Sequence, residues 1–518
     1  MNTPSPNPTI GQRSTILRLL RWCFRWRTQR VIWFVLFCLV TLVCLFYAEE
    51  DWRGKRAWEH YRREWEAKGE KFDLVSLAPP PVPDARNFAL APLLKPIFEY
   101  TRGPNGLHCL DTNGYARLQH LRADLPWQGR PSALGNLEKG TFTDLETWRD
   151  FYRGNTNYPQ PAASATAAED VLVALGKFDA DLQQLREAAA ARPDARFPIE
   201  YDANLPAGIL LPHLANMKGL TTLLQLRAVA ELEAGQTPQA FADLQLGFRL
   251  SDSIREEPIL IDHLVRVATL GMDLQGVREG LARHAWSEAQ LAELDQYLRG
   301  VDLLKELQHA LRGERACTIG NFNYLRRQGF KFNPGEFSDD LPGILCLMPG
   351  GWFYQNMRTI ARWNQEFLLD AVAPQQHRVF PNLGERGDLA VAGMRTTPDN
   401  LLAKLLLPAL GKASAKSARM QTYVDAARLA CALERFRLAN GQLPDALAAL
   451  APRFIARIPN DVIDGQPLRY RKTPDGGYLI YSIGWNQKDD GGKIELTKSG
   501  AVDPQTGDWV WACPARMK

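Results

Sequence analysis

Histidine and cysteine are both scarce, with eight of each in 518 residues. No two cysteines form a Cys-x-x-Cys pair, so a structural zinc site has no support. No His-Glu-x-x-His, Gly-x-Ser-x-Gly or Walker-type glycine loop occurs, nor a Gly-x-Gly-x-x-Gly after a strand. The short signatures of zinc proteases, α/β hydrolases, phosphate loops and dinucleotide folds are therefore missing. A dominant charge is missing too. Sixty-two basic against 58 acidic residues leave a formal net charge of +4, too balanced for binding driven by bulk charge, and nucleic acid is not expected as a partner. The 45% apolar content excludes a mostly disordered chain. A mean hydropathy of −0.28 excludes a polytopic membrane protein.

One long apolar run is present. Val31 to Ala48 carries no charge and would span roughly 27 Å as a helix, close to a hydrocarbon core. Arg13, Arg18, Arg21, Arg25, Arg27 and Arg30 precede it, while Glu49, Glu50 and Asp51 follow. Because arginine resists translocation, residues 1–30 are expected in the cytoplasm and the bulk of the chain outside, in the periplasm. Trp22, Trp26, Trp33 and Trp52 suit the headgroup layers at either end. A cleaved signal peptide is the competing reading; the run is long for one, and no small-x-small site precedes Glu49. The expected location is the inner membrane, as a single pass with lipid around residues 31–48.

Residues 49–78 read as a juxtamembrane helix continuing the anchor, whose Trp58, Tyr61 and Trp65 share a face, a stalk resting on the domain or the membrane surface. Residues 79–166 open on Pro79, Pro80, Pro81 and Pro83, an extended strap, and continue as strands or irregular chain. Residues 167–412 read as a helical domain. Val171, Leu175, Phe178, Leu182 and Leu185 repeat on one helical face. Consecutive helices follow from Ala207 to Leu311: one stops at Gly235, one is capped by Thr237, one starts at Pro258, and one opens with a Ser287/Gln290 capping box. Ala230 to Leu244 is similar to one degenerate tetratricopeptide unit, so a helical-hairpin stack is expected. The aromatic, glycine-rich residues 313–373 either plug that stack or line a groove, and Pro374 to Asn400 reads as a loop.

Residues 413–518 read as a small α+β domain. A helix over Ser417–Asn440 stops at Asn440-Gly441, a hairpin joins LRYR to YLIYSI, and a final strand covers DWVW at Asp508–Trp511. The order of Ala432–Asp445, Pro452 and Pro459, Asp464-Gly465 with Pro467 and Tyr470, and Tyr481-Ser482-Ile483-Gly484 resembles the globular domain of type II secretion pseudopilins, above all the major one. The chain as a whole is loosely similar to large membrane-anchored proteins of planctomycete and verrucomicrobial type. The N-terminus departs from the pseudopilin pattern. Arg30 stands where the processed glycine would be, and the apolar segment holds no glutamate. The resemblance therefore implies an appended module and not a pilus subunit.

In the major pseudopilins the acidic loop binds calcium. The resemblance carries that expectation onto Asn486, Asp489, Asp490 and Asp508, although Lys488 and Lys493 crowd the loop. Other clusters read as structural. Glu256, Glu257, Asp262 and His263 suit a helix start and surface pairing, with Asp262 and His263 splayed about 100° apart. Arg312, Glu314 and Arg315 read as a solvated ion-pair triplet, and nothing in sequence completes a site around His108, Cys109 and Asp111. Cys317 and Cys346 are the nearest disulfide candidates. The functional expectation is a non-enzymatic, membrane-anchored scaffold or protein-interaction protein with a protein partner in the envelope, tied to a secretion or pilus-like assembly. The alternative is an anchored hydrolase with its pocket in residues 313–373.

Overall fold

The computed structural model describes residues 26–103, 106–123, 134–162, 165–328, 347–407 and 411–515. Helix accounts for 62% and strand for 8%, so the protein is mainly α. The apolar run and the juxtamembrane segment form a single 41-residue helix, α1 (Trp26–Glu66). It is the one described helix long and apolar enough to cross a membrane. Its two halves behave differently. Trp33, Phe37 and Leu42 stand exposed, whereas Trp58 is 3% exposed and Tyr61 8%. Those two rings stack and meet Phe72 edge-on, so the aromatic stripe lies on the domain.

Beyond α1 the chain runs extended through Pro79–Pro83, with Leu74 and Leu77 buried beside Tyr201, Ile259 and Ala316. A hairpin, β1 (Tyr100–Gly103) with β2 (Gly106–Cys109), matches the expected short strands. Two helices in this region were not legible in sequence, α2 (Thr112–Ala123) and α3 (Leu145–Arg153), the latter capped by Asp144. The expected single face from Val171 to Leu185 is divided between α4 (Ala167–Leu175) and α5 (Asp179–Ala191), joined by a 3₁₀ turn. All five stripe residues remain buried, because a short 3₁₀ turn shifts the helical phase little.

The central helices are α6 (His213–Glu233), α7 (Thr237–Ser253), α8 (Leu260–Ala282), α9 (Glu288–Arg299) and α10 (Leu303–Gln328). Gly235, at φ +73°, makes the tight turn between α6 and α7. Thr237 is not the cap expected of it: Gln236 holds that position, and Thr237 is the first helical residue. The Ser287/Gln290 capping box forms as expected. The helix it opens ends at Arg299, however, and α10 begins anew after Gly300.

After α10 come α11 (Gly350–Trp363), a π-helical turn (Asn364–Leu369), and the short pair β3 (Val372–Ala373) and β4 (Arg378–Val379). The loop expected over Pro374–Asn400 is corrected, since it contains α12 (Pro381–Gly393) with proline in its first turn. Gly387 lets α12 approach the rings of Phe367 and Trp363. Then follow α13 (Leu401–Leu406) and α14 (Gly411–Asn440), which stops at Gly441 with φ +76°. An antiparallel sheet ordered β5 (Arg469–Lys472), β6 (Tyr478–Ser482), β9 (Trp509–Cys513) packs on α14, and β7 (Ile494–Leu496) pairs with β8 (Val502–Gly507). The final strand thus starts one residue after Asp508. A single apolar cluster joins α8, α9, α14, β6 and β9. Arg278 of α8 reinforces that joint, donating to the carbonyls of Ala512 and Gly140 at 2.9 and 2.6 Å.

Candidate functional site

The end of the apolar run is where the anchor meets the domain. Glu50, 7% exposed, accepts hydrogen bonds from Arg53 at 2.6 Å, Trp352 Nε1 at 3.0 Å and Gln355 at 3.3 Å. Asp51 accepts from the Gly351 amide at 2.6 Å, so a carboxylate on α1 caps the N-terminus of α11. The helices touch backbone to backbone. A Cβ on Gly54 would overlap the Gly351 carbonyl, and one on Gly351 would overlap the Glu50 carbonyl. From this seam α11 runs along α1.

A cavity of about 500 Å³ opens beside the seam. Arg53, Arg358 and Arg362 supply its cationic lining, and Ala57, Phe367 and Met394 part of an apolar wall. Arg53 is held by Glu50, which raises its pKa above the usual arginine value, and Arg362 pairs with Glu366 at 2.7 Å. Arg358 is exposed and forms no ion pair among the described residues. The cavity falls partly within the 313–373 segment, but its described lining contains no histidine, cysteine or serine. Phe322, Phe353 and Trp363 of that segment are core residues; Phe330, Phe332 and Phe337 lie outside the described residues.

The four residues expected to hold calcium do share one neighbourhood. Asp508 accepts from the amides of Asp490 at 3.2 Å and Gly492 at 2.6 Å. Asn486 donates to Asp490 at 3.1 Å, and Asp489 accepts from the Gly491 amide, with Arg469 3.8 Å away. Asp508 therefore closes the loop by binding its amides, and the other side chains bond to one another or to the backbone. Among the described residues no three His, Cys, Asp or Glu side chains converge as a metal group. The donor set as arranged does not fit a calcium shell, which takes six to eight oxygens around one point.

The residues read as surface pairs are buried instead. Asp262 meets His213 at 3.1 Å with both side chains fully enclosed, and His213 stacks on Phe197 at 4.1 Å. Glu257 accepts from the Tyr201 hydroxyl, and burial followed by the Asp262 charge pushes its carboxyl up to about 8. His263 is 2.7 Å from Ser417 Oγ and is pushed down to about 3, by burial first and Arg266 second. Asp262 and His263 thus diverge to different partners, as their spacing required. Glu256 alone of the four is exposed, and it pairs with Arg255. Arg312 and Arg315, expected in solvent, together clamp Glu70. Burial opposes that carboxylate, but the arginine hydrogen bonds outweigh it and hold its pKa below the usual range. Glu314, beside them, is raised by burial.

His108 is exposed on β2, Cys109 contacts the Asp111 carbonyl, and Asp111 caps α2 through the Gly114 amide at 2.8 Å. No site assembles there from the described residues. Cys317 is a free thiol and Cys346 lies outside the described residues. Sequence reading missed the three cavity arginines and the buried Arg266, which bridges Asp252 at 3.0 Å and Glu306 at 2.6 Å. The only available signal for the first was the small-residue pair Gly54 and Gly351, each marking a close helix approach. The chain matches no family model, no curated protein and no solved structure.

Proposed function

We propose that this protein is a single-pass, membrane-anchored scaffold or protein-interaction protein. Residues 1–30 lie in the cytoplasm and the folded domain in the periplasm against the inner membrane. The observation that carries this reading is α1: its first half is apolar and exposed, while its second half lays Trp58 and Tyr61 into the domain core. Such a helix transmits the position of the bilayer rigidly to everything packed on it. The arginine-rich segment before Val31 and the acids after Ala48 support the orientation.

The three-residue turn between α6 and α7, with α8 packed on both, supports a helical-hairpin stack of tetratricopeptide kind. The sequence α14, then β5, β6 and β9, supports a pseudopilin-like module and so a partner in a secretion or pilus-like assembly. Photo-crosslinkers placed on exposed positions of β5 and α9 in living cells test the reading. A discrete adduct with a subunit of such an assembly is the expected result. Absence of any adduct, together with substrate turnover by the purified chain, would replace the scaffold with the hydrolase reading.

A further inference from the structure

We propose that the cavity between α1 and α11 binds the phosphate-bearing headgroup of an anionic phospholipid from the leaflet beneath the domain. The proposal rests on the membrane-anchored reading above and assigns that domain a second, headgroup-specific hold on the bilayer.

Position comes first. Arg53 lies five residues past Ala48, so about 7 Å beyond the apolar run along the helix axis, within reach of the headgroup layer. The chain leading into α11 sits lower still. Tyr47 donates to the carbonyl of Leu347, and Phe46 meets Trp352 edge-on at 6.2 Å. Leu347 is 56% exposed at that level, and Trp52 is exposed one turn above Ala48. An apolar side chain and aromatic rings therefore ring the anchor where water gives way to lipid, the usual setting for such residues. The residues of α1 that line the cavity, Arg53 and Ala57, follow next along the helix.

Chemistry comes second. Three guanidinium groups line the cavity with two carboxylates, Glu366 and Asp399. Counting Glu50, which holds Arg53, the three guanidinium groups are balanced by three carboxylates, so the site suits one phosphodiester held by a single guanidinium and does not match a polyphosphate. Two of the arginines are already held in place by Glu50 and Glu366, and Arg358 is left without an acidic partner among the described residues. A guanidinium offers paired N–H donors to phosphate oxygens, so Arg358 is the group aimed at the ligand. The apolar wall of Ala57, Phe367, Ala390 and Met394 suits the glycerol and first acyl carbons. A free phosphate would use the arginines and leave this wall bare.

The test uses the full-length chain in an uncharged detergent, with melting temperature and native mass spectrometry as readouts. The probes are phosphatidylglycerol, phosphatidylcholine and inorganic phosphate. Phosphatidylglycerol is expected to raise the melting temperature and leave one retained adduct, while the other two do neither. Arg358→Ala, at an exposed position, is expected to weaken phosphatidylglycerol binding about tenfold, on the scale of one charge-assisted bidentate contact. Ala390→Trp, which fills the wall without touching an arginine, is expected to remove the adduct. An equal response to phosphatidylcholine, or a response to inorganic phosphate alone, overturns the proposal. So does an undiminished response in both variants. Alkaline carbonate separates the two ideas: a chain released from membranes refutes the anchor itself, whereas a retained chain that ignores phosphatidylglycerol refutes only the headgroup site.

Discussion

Gly54 and Gly351 meet at a point where no side chain fits, since a methyl on either overlaps the backbone of the facing helix. Gly351→Ala is expected to push α11 away from α1 and cost about 1–3 kcal/mol, the usual price of overpacking. Thermal unfolding of the full chain in detergent measures it. Glu257 gives a prediction in pH. Its folded carboxyl titrates near 8 and its unfolded one near 4.5, so the native state binds the extra proton between those values. Stability attributable to this group is complete below pH 4.5 and is lost as pH rises toward 8. Glu257→Gln is therefore expected to flatten the fall in stability between pH 5 and 8, and to exceed wild type most at the upper end. Denaturant midpoints across that range check it. Sequence did not show the close approach at Gly351 or the burial of Glu257. A glycine pair signals close approach only once its partner helix is known, and an acidic residue beside a proline looks like any solvated helix start.

At the scale of elements, the sequence pattern located most of what is repetitive. The capping box at Ser287, the stop at Gly441 and the hairpin of β5 and β6 follow from local chemistry, and they form as read. Misreadings came where tertiary contacts decide. Three glycines made Pro381–Gly393 look like a loop, yet Gly387 is what lets α12 lie against Phe367 and Trp363. Asp262 and His263 of α8 read as surface-paired, and Arg312, Glu314 and Arg315 of α10 as a solvated triplet. In the structure Arg266 is buried between Asp252 and Glu306, and Asp273 between helices accepts from Ser251 at 2.8 Å. Arg266→Met is expected to leave two carboxylates facing each other out of water and cost about 3–5 kcal/mol. Urea unfolding should show it, with no comparable loss for the exposed Arg358→Ala. The acidic loop belongs here too. Because Asp508 is occupied by loop amides, millimolar calcium is expected to leave the melting temperature unchanged, while Asp508→Ala lowers it by freeing the Asp490 and Gly492 N–H groups. A calcium-dependent rise would restore the metal reading.

For the whole molecule, the feature that organises the rest is the continuity of α1. At about 1.5 Å per residue its 41 residues reach roughly 60 Å, enough to cross a bilayer and then run along the domain. The apolar run, its arginine flank and the aromatic stripe of Trp58 and Tyr61 were all legible in sequence, because composition and helical spacing suffice to show them. That the two segments join without a break was legible as well, whereas the clamping of the joint by α11 through Glu50 and Asp51 depended on residues three hundred positions away. The account stands or falls on where the domain lies relative to the bilayer. A periplasm-dependent phosphatase fused after Lys518 reads this directly: the account predicts activity in intact cells, in a fraction that alkaline carbonate does not release from membranes. Activity confined to a cytosolic reporter at the same position, or release of the fusion by carbonate, would contradict it.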